Sequence, residues 1–475
     1  MIGMTAEPVI IQGGMGVGVS NWRLARAVSR LGHLGVVSAT ALDTVLVRRL
    51  QDGDVDGDVR RSMARFPIPG VAEMVLRRYF LPSGRAVGEP YAMLPMYRRR
   101  VSRERQQITM LAAFVEVDLA REGHDGLVGV NLLTKVQLPN LASLYGAMLA
   151  GVHYVLMGAG IPREIPAVLD AFAHHRPATL RLDVEGMPPG ECVDITFVPA
   201  DYTQGMTLSE LQRPRFLAII ASNSLATVLA RKASGRVDGF VVEGPTAGGH
   251  NAPPRGTPSF NVRGEPQYGD RDLVDLAKLS ELGLPFWIAG GAGTPDALRA
   301  ALAAGAAGVQ VGTLFAWCDE AGITAPLKET VLTHAGRGEI DVFTDPLASP
   351  TGYPFKLVQW PGATSDAGTR ERLCDLGYLR TTYRGDDGRI DYRCPAEPVE
   401  AYLRKGGTLE ETVGRRCLCN ALTADVGLGQ LRHDGSSEPP LLTSGDDLTS
   451  MAAFLHGRTR YSAADVVNYL MPRAS

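Results

Sequence analysis

Up to about residue 320 the chain alternates two hydrophobic patterns, short Val/Ile/Ala-rich runs and longer segments whose apolar positions return every three to four residues. That alternation marks βα units arranged around a parallel sheet. It predicts strands at 9–12, 35–38, 127–131, 154–157, 216–222, 237–243, 285–289 and 308–312. Helices are expected at 22–31, 106–122, 138–150, 165–174, 224–232, 272–282 and 295–304. Eight strands so spaced predict an α/β fold, a (β/α)8 TIM barrel. Such a barrel takes roughly 250 residues, so a chain of 475 must carry additions.

The barrel is assigned to 1–340, with insertions at 51–105 and 178–214, and a C-terminal accessory region or lid to 341–475. The second insertion alternates like a hairpin through Thr179-Leu180-Arg181-Leu182 and Val193-Asp194-Ile195-Thr196. Beyond 340 Pro, Gly and Asp recur, and the turn-rich stretch 384–389 reads as a hairpin between Tyr383 and Tyr392.

One stretch, 300–318, is uncharged and almost long enough to span a bilayer. Its Ala-rich first half reads instead as a buried helix, ended by the glycines at 305 and 308 before the strand Val309-Gln310-Val311. Residues 1–8 carry neither a basic nor an apolar leader region, so a cytoplasmic protein is expected. A net charge of −3 provides no footprint for nucleic acid or an anionic membrane, which leaves a small-molecule substrate. The six cysteines, Cys192, Cys318, Cys374, Cys394, Cys417 and Cys419, are read as reduced structural thiols. Cys417-x-Cys419 with two distant partners lacks paired CxxC spacing, and no metal is assigned.

Active sites of such barrels lie at the C-terminal ends of the strands. The residues there are Gly13-Gly14-Met15-Gly16, Asn131, Gly158-Ala159-Gly160, Ser222, Gly248-Gly249-His250, Gly290-Gly291-Ala292-Gly293 and Gly312-Thr313. Glycines after the last two strands, ahead of helix starts, let backbone N–H groups approach an anion. Thr294 followed by Pro295 supplies a capped helix start beside Gly291 and Gly293. One phosphate and many apolar strand ends suit flavin mononucleotide, FMN, with Gly13, Gly14 and Met15 beside its ring. Gly14-x-Gly16-x-Gly18 is not the dinucleotide spacing. His250, flanked by glycines and without packing neighbours in sequence, is the candidate acid/base on a flexible rim.

Ile10-Ile11-Gln12-Gly13-Gly14-Met15-Gly16, Gly129-Val130-Asn131, Ala247-Gly248-Gly249-His250, Ala289-Gly290-Gly291 and Gly312-Thr313 resemble the nitronate monooxygenase (2-nitropropane dioxygenase) family over about residues 8–320. The resemblance implies FMN, with its phosphate near Gly291, Gly293, Gly312 and Thr313, its ring near Gly13, Met15 and Asn131, and His250 as acid/base. It implies oxidation of alkyl nitronates with oxygen. The same superfamily includes flavin-type and trans-acting enoyl reductases, which implies as the alternative an enoyl-thioester reductase using NAD(P)H. In that case an acyl carrier protein is the partner, and Arg98, Arg99, Arg100, Arg103 and Arg105 are either its docking cluster or solvated surface. A non-catalytic barrel scaffold is the third reading.

Overall fold

The computed structural model describes residues 7–203, 205–363, 371–432 and 434–472. Residues 1–6, part of the stretch read for a leader, lie outside the described residues. Eight parallel strands form one sheet: β1 (Ile10–Gln12), β2 (Gly35–Ser38), β3 (Val128–Leu133), β4 (Tyr154–Gly158), β5 (Arg215–Ile220), β6 (Gly239–Glu243), β7 (Phe286–Ala289) and β8 (Gly308–Val311). Their order is β1-β8-β7-β6-β5-β4-β3-β2. The two ends meet, because Ile11 bridges Leu34 and the Gln12 N–H donates to the Leu34 carbonyl at 2.9 Å. The Gln12 side chain completes the seam, its Oε1 accepting from the Val36 N–H at 3.0 Å. The sheet is thus a TIM barrel.

Buried apolar residues of six strands, among them Ile11, Val36, Leu156, Leu217, Val241 and Trp287, form one cluster. Residues from strands all around a closed sheet meet only in its interior, so this is the packed barrel core. Helices cover the outside. Pro295–Ala303 begins as its sequence predicts, with Thr294 Oγ1 accepting from the Ala297 N–H at 3.1 Å and proline in the first turn. It is not a buried helix, however. Leu298 and Ala301 face inward while Leu302 is 43% exposed, as suits a helix in an outer ring with water on one side. No helix among the described residues is long and apolar enough to cross a membrane.

Within the first insertion, helices Asp58–Met63 and Val71–Tyr79 pack on the long helix Arg103–Arg121. The second holds the antiparallel pair Ala178–Leu182 and Val193–Phe197, and the tail hairpin pairs Thr381–Arg384 with Ile390–Arg393. The tail also forms the pair Asp341–Asp345 and Phe355–Gln359, and its helix Ala463–Leu470 packs against Trp22–Arg30.

A buried polar cluster fastens tail, insertion and barrel together. Asp43 pairs with Arg105 at 3.0 Å, both side chains being almost wholly buried. The Tyr97 and Tyr378 hydroxyls donate to the same carboxylate, and Thr44 shares a 2.7 Å hydrogen bond with Tyr378. Burial would raise the Asp43 carboxyl, but Arg105 and the tyrosine hydroxyls outweigh it and hold the group below its usual range. Arg105 is therefore not part of a solvated basic cluster. Arg98, Arg99, Arg100 and Arg103 are exposed, whereas Arg105 turns inward to reach its counter-ion.

Removing one partner of a buried ion pair strands the other, a loss of about 3–5 kcal/mol. Asp43→Asn should lower unfolding free energy by about that amount in urea denaturation, and the double variant Asp43→Asn/Arg105→Met should recover part of it.

Candidate active site

The C-terminal ends of the strands open into a cavity of about 440 Å³. Loops of the barrel form its floor and walls. The tail forms its roof through Tyr353, Phe355, Tyr378, Leu418 and Leu442–Gly445, among others. Of the residues selected from sequence, Gly13, Gly14, Met15, Asn131, Gly248, Gly249, His250, Gly290, Gly291, Gly312 and Thr313 all line this cavity.

Several of these glycines answer to packing between chain segments. A Cβ on Gly14 would lie 2.3 Å from Asn131 Cβ, and one on Gly248 would lie 2.7 Å from the Gly445 nitrogen. Gly290 and Gly291 both hold positive φ, +85° and +67°, so the turn after β7 requires them. At Gly312 the added carbon would meet only the Met15 side chain, its Sδ at 3.5 Å, so the absent side chain leaves open wall there. Beside it, Thr313 Oγ1 accepts from the Gly445 N–H at 3.1 Å, which leaves its own proton to donate into the cavity.

Two sequence selections fall away from the cavity. The Gly293 N–H donates to Asp447 Oδ2 at 3.2 Å, so a tail carboxylate already takes this donor. Ser222 caps the helix Asn223–Lys232 by accepting from the Leu225 N–H, a structural task. His250 does line the cavity, but not on a flexible rim without neighbours. Its ring packs edge-on against Phe355 at 4.8 Å, and its Nε2 shares a 2.6 Å hydrogen bond with Ser349 Oγ. Burial first, and the nearby Lys135 ammonium second, push the imidazole down to about 3. It is therefore neutral at pH 7, and in this environment it binds a proton only weakly.

Other cavity groups were not selected from the sequence. Glu243 ends β6 and is pushed up to about 7 by burial. Gln310, the polar residue inside the apolar run of β8, lines the cavity with its Oε1 buried and without a protein partner. Asn251 Oδ1 is in the same condition. A polar residue interrupting a strand or ending it was the available signal. The tail's own Asp425 also lines the cavity, and burial holds its carboxyl well above the usual range. Cys374, Cys394, Cys417 and Cys419 line a much smaller cavity that shares Cys419 with this one, and burial there pushes the Cys374 and Cys394 thiols up to about 12. Among the described residues no group of His, Cys, Asp or Glu is placed to hold a metal ion.

Glu243 gives the fold a definite pH signature. Its folded value lies above the ordinary 4.5, so the stability it contributes is complete below about 4.5 and lost as pH rises through about 7. His250 acts in the opposite sense, losing stability as pH falls below 6.5, equally in wild type and in a Glu243 variant. The urea midpoint of Glu243→Gln relative to wild type should therefore climb between pH 5 and pH 7.5 and level off above, as parallel titrations would show.

Residues 186–345 match the family model described as nitronate monooxygenase, a stretch that contains β5–β8, Glu243 and His250. No curated protein matches the chain. Among solved structures, nitroalkane oxidase from Streptomyces ansochromogenes is 17% identical, with 98% of this chain and 94% of that one covered and a TM-score of 0.47. FabK from Thermotoga maritima is 18% identical, covering 74% and 71% at a TM-score of 0.41. The enoyl reductase domain of MlnA from Bacillus amyloliquefaciens is 13% identical, covering 74% and 63% at 0.37. On the match over 186–345, the chain is an oxidoreductase similar to the nitronate monooxygenases.

Proposed function

We propose that the chain is an FMN-dependent oxidoreductase that oxidises alkyl nitronates with oxygen. The observation that carries the proposal is one cavity that brings together Gly291, Gly312 and Thr313, the candidate anion cradle, and a His250 that is neutral at pH 7. The residues fit the cofactor. Gln310 Oε1 and Asn251 Oδ1 are buried acceptors with no protein donor, and a ligand rich in N–H and O–H groups satisfies them. A bound flavin supplies the electron acceptor for the reaction.

The chain's own residues do the rest. Gly312 leaves space in which a phosphate would sit, and the Thr313 hydroxyl would donate to it. Met15 and Asn131 stand on the floor where an apolar ring is accommodated. Ser349 and Phe355 fix the imidazole of His250, so that its orientation does not depend on substrate. The tail roof covers the same space.

The protein should purify yellow and release FMN on heating, identified by chromatography. Recovery of FAD, or of no flavin, contradicts the cradle. Gly312→Glu should purify colourless, because a carboxylate would then occupy the anion site.

His250→Asn should stay yellow and lose about 10²–10⁴-fold in turnover, the usual loss on removing a general acid/base. Anaerobic mixing separates the chemistry. Bleaching by a nitronate supports the proposal, whereas rapid bleaching by NAD(P)H supports enoyl-thioester reduction.

A further inference from the structure

The cavity has two unlike sides. His250 follows β6, and the glycine turns with Thr313 follow β7 and β8. In a closed ring of eight strands in this order, β2 stands opposite β6 and β3 opposite β7. Ser38 and Asn131 line the cavity from within those two strands, and Ser38 spends its proton on the Gly16 carbonyl at 2.6 Å. Past the strand ends, beyond Thr40, the lining turns apolar, with Ala41 after β2 and with Leu133 and Val136 at and after the end of β3. From the tail, Leu379 and Leu422 complete this wall, and all five residues belong to one packed apolar cluster. Leu133, Leu379 and Leu422 are only half-buried there, so each keeps apolar surface turned to the cavity. The wall is not free to collapse over that surface. Tyr378, next to Leu379, is tied to Asp43 and Thr44, and Leu422 rides on the tail helix Leu418–Ala424, whose Leu418 is buried in a second apolar cluster with Phe355. Asp425, just past that helix, also lines the cavity, and burial favours its uncharged form.

We propose that this wall, held open by the tail, is a chain pocket that takes the unbranched aliphatic tail, several carbons long, of the substrate. Apolar surface left open inside a protein is covered most favourably by an apolar ligand. A cavity of about 440 Å³ under a roof admits a small-molecule chain and no folded partner. The inference rests on the proposed function for the reacting head group and adds what that reading leaves open, a selection for long chains over short ones. The selection belongs to the tail as much as to the barrel, because Leu379 and Leu422 lie beyond residue 340.

The test uses the flavin-loaded protein and a series of straight-chain 2-alkanones from butanone to 2-octanone, neutral compounds whose calorimetric titration reads binding without turnover. Affinity should rise about two- to fourfold with each added methylene, the increment expected for burying one such group. With primary alkyl nitronates, kcat/KM should climb in the same order from the nitroethane to the 1-nitrohexane anion. Leu422→Trp fills the pocket from the tail helix, and Cys419→Phe does so from the same helix should the first variant fail to fold. Either should retain FMN and bind butanone within about threefold of wild type, yet lose at least about tenfold in affinity for 2-octanone. Affinity that is flat along the ketone series in wild type overturns the proposal, as does an unchanged slope in the filling variants. A preparation that holds no FMN, or that no nitronate bleaches, overturns the proposed function instead, and the ketone series still decides the pocket.

Discussion

The ion pair of Asp43 and Arg105, with the Tyr97 and Tyr378 hydroxyls on the same carboxylate, is the interaction on which the site depends. It joins the helix after β2, the end of the first insertion and the tail at one buried point. Once Tyr378 is fixed there, the tail must cross the open end of the barrel, because Tyr378 also lines the cavity. Buried charges of this kind contribute little net stability against an apolar alternative. What this pair contributes is position, since an inward-facing carboxylate accepts only partners that arrive with donors in the right place.

From that position the other features of the site follow. The tail brings Ser349 and Phe355 to His250, Thr443 to the Gly249 N–H, and Asp447 to the Gly293 N–H. Lys356, almost fully buried, holds Asp446 at 2.7 Å and so anchors the segment that carries Asp447. The barrel supplies glycine turns with backbone donors, and the tail decides which of those donors stay available. Gly291, Gly312 and Thr313 remain on the cavity surface, while Gly293 is withdrawn.

This division explains what was legible in the sequence. β2 and the start of Pro295–Ala303 could be read to the residue, because apolar runs, capping threonines and proline act over a few positions. Both hairpins announced themselves by alternation or by turn residues. The helix Leu42–Gln51 was missed because it is buried almost all round, Asp43 and Arg48 included, and shows no polar stripe. The surroundings of His250, the burial of Arg105 and the capture of Gly293 were illegible for one reason. Each depends on a residue far away in the chain, and local pattern carries no record of such a partner. For Gln310 and Glu243 the pattern was present, since a polar group in an apolar run is costly unless something requires it.

The roof of the cavity is drawn from residues 353–447, whereas its floor begins at Gly13. The site consequently comes into being only after the segment that ends at Asp447 has been made. Until then the glycine turns are open to solvent, and an early ligand finds donors but no enclosure. A ligand that needs this enclosure is held only by a chain whose roof has been made, and only such a chain gains the protection from unfolding and proteolysis that binding provides.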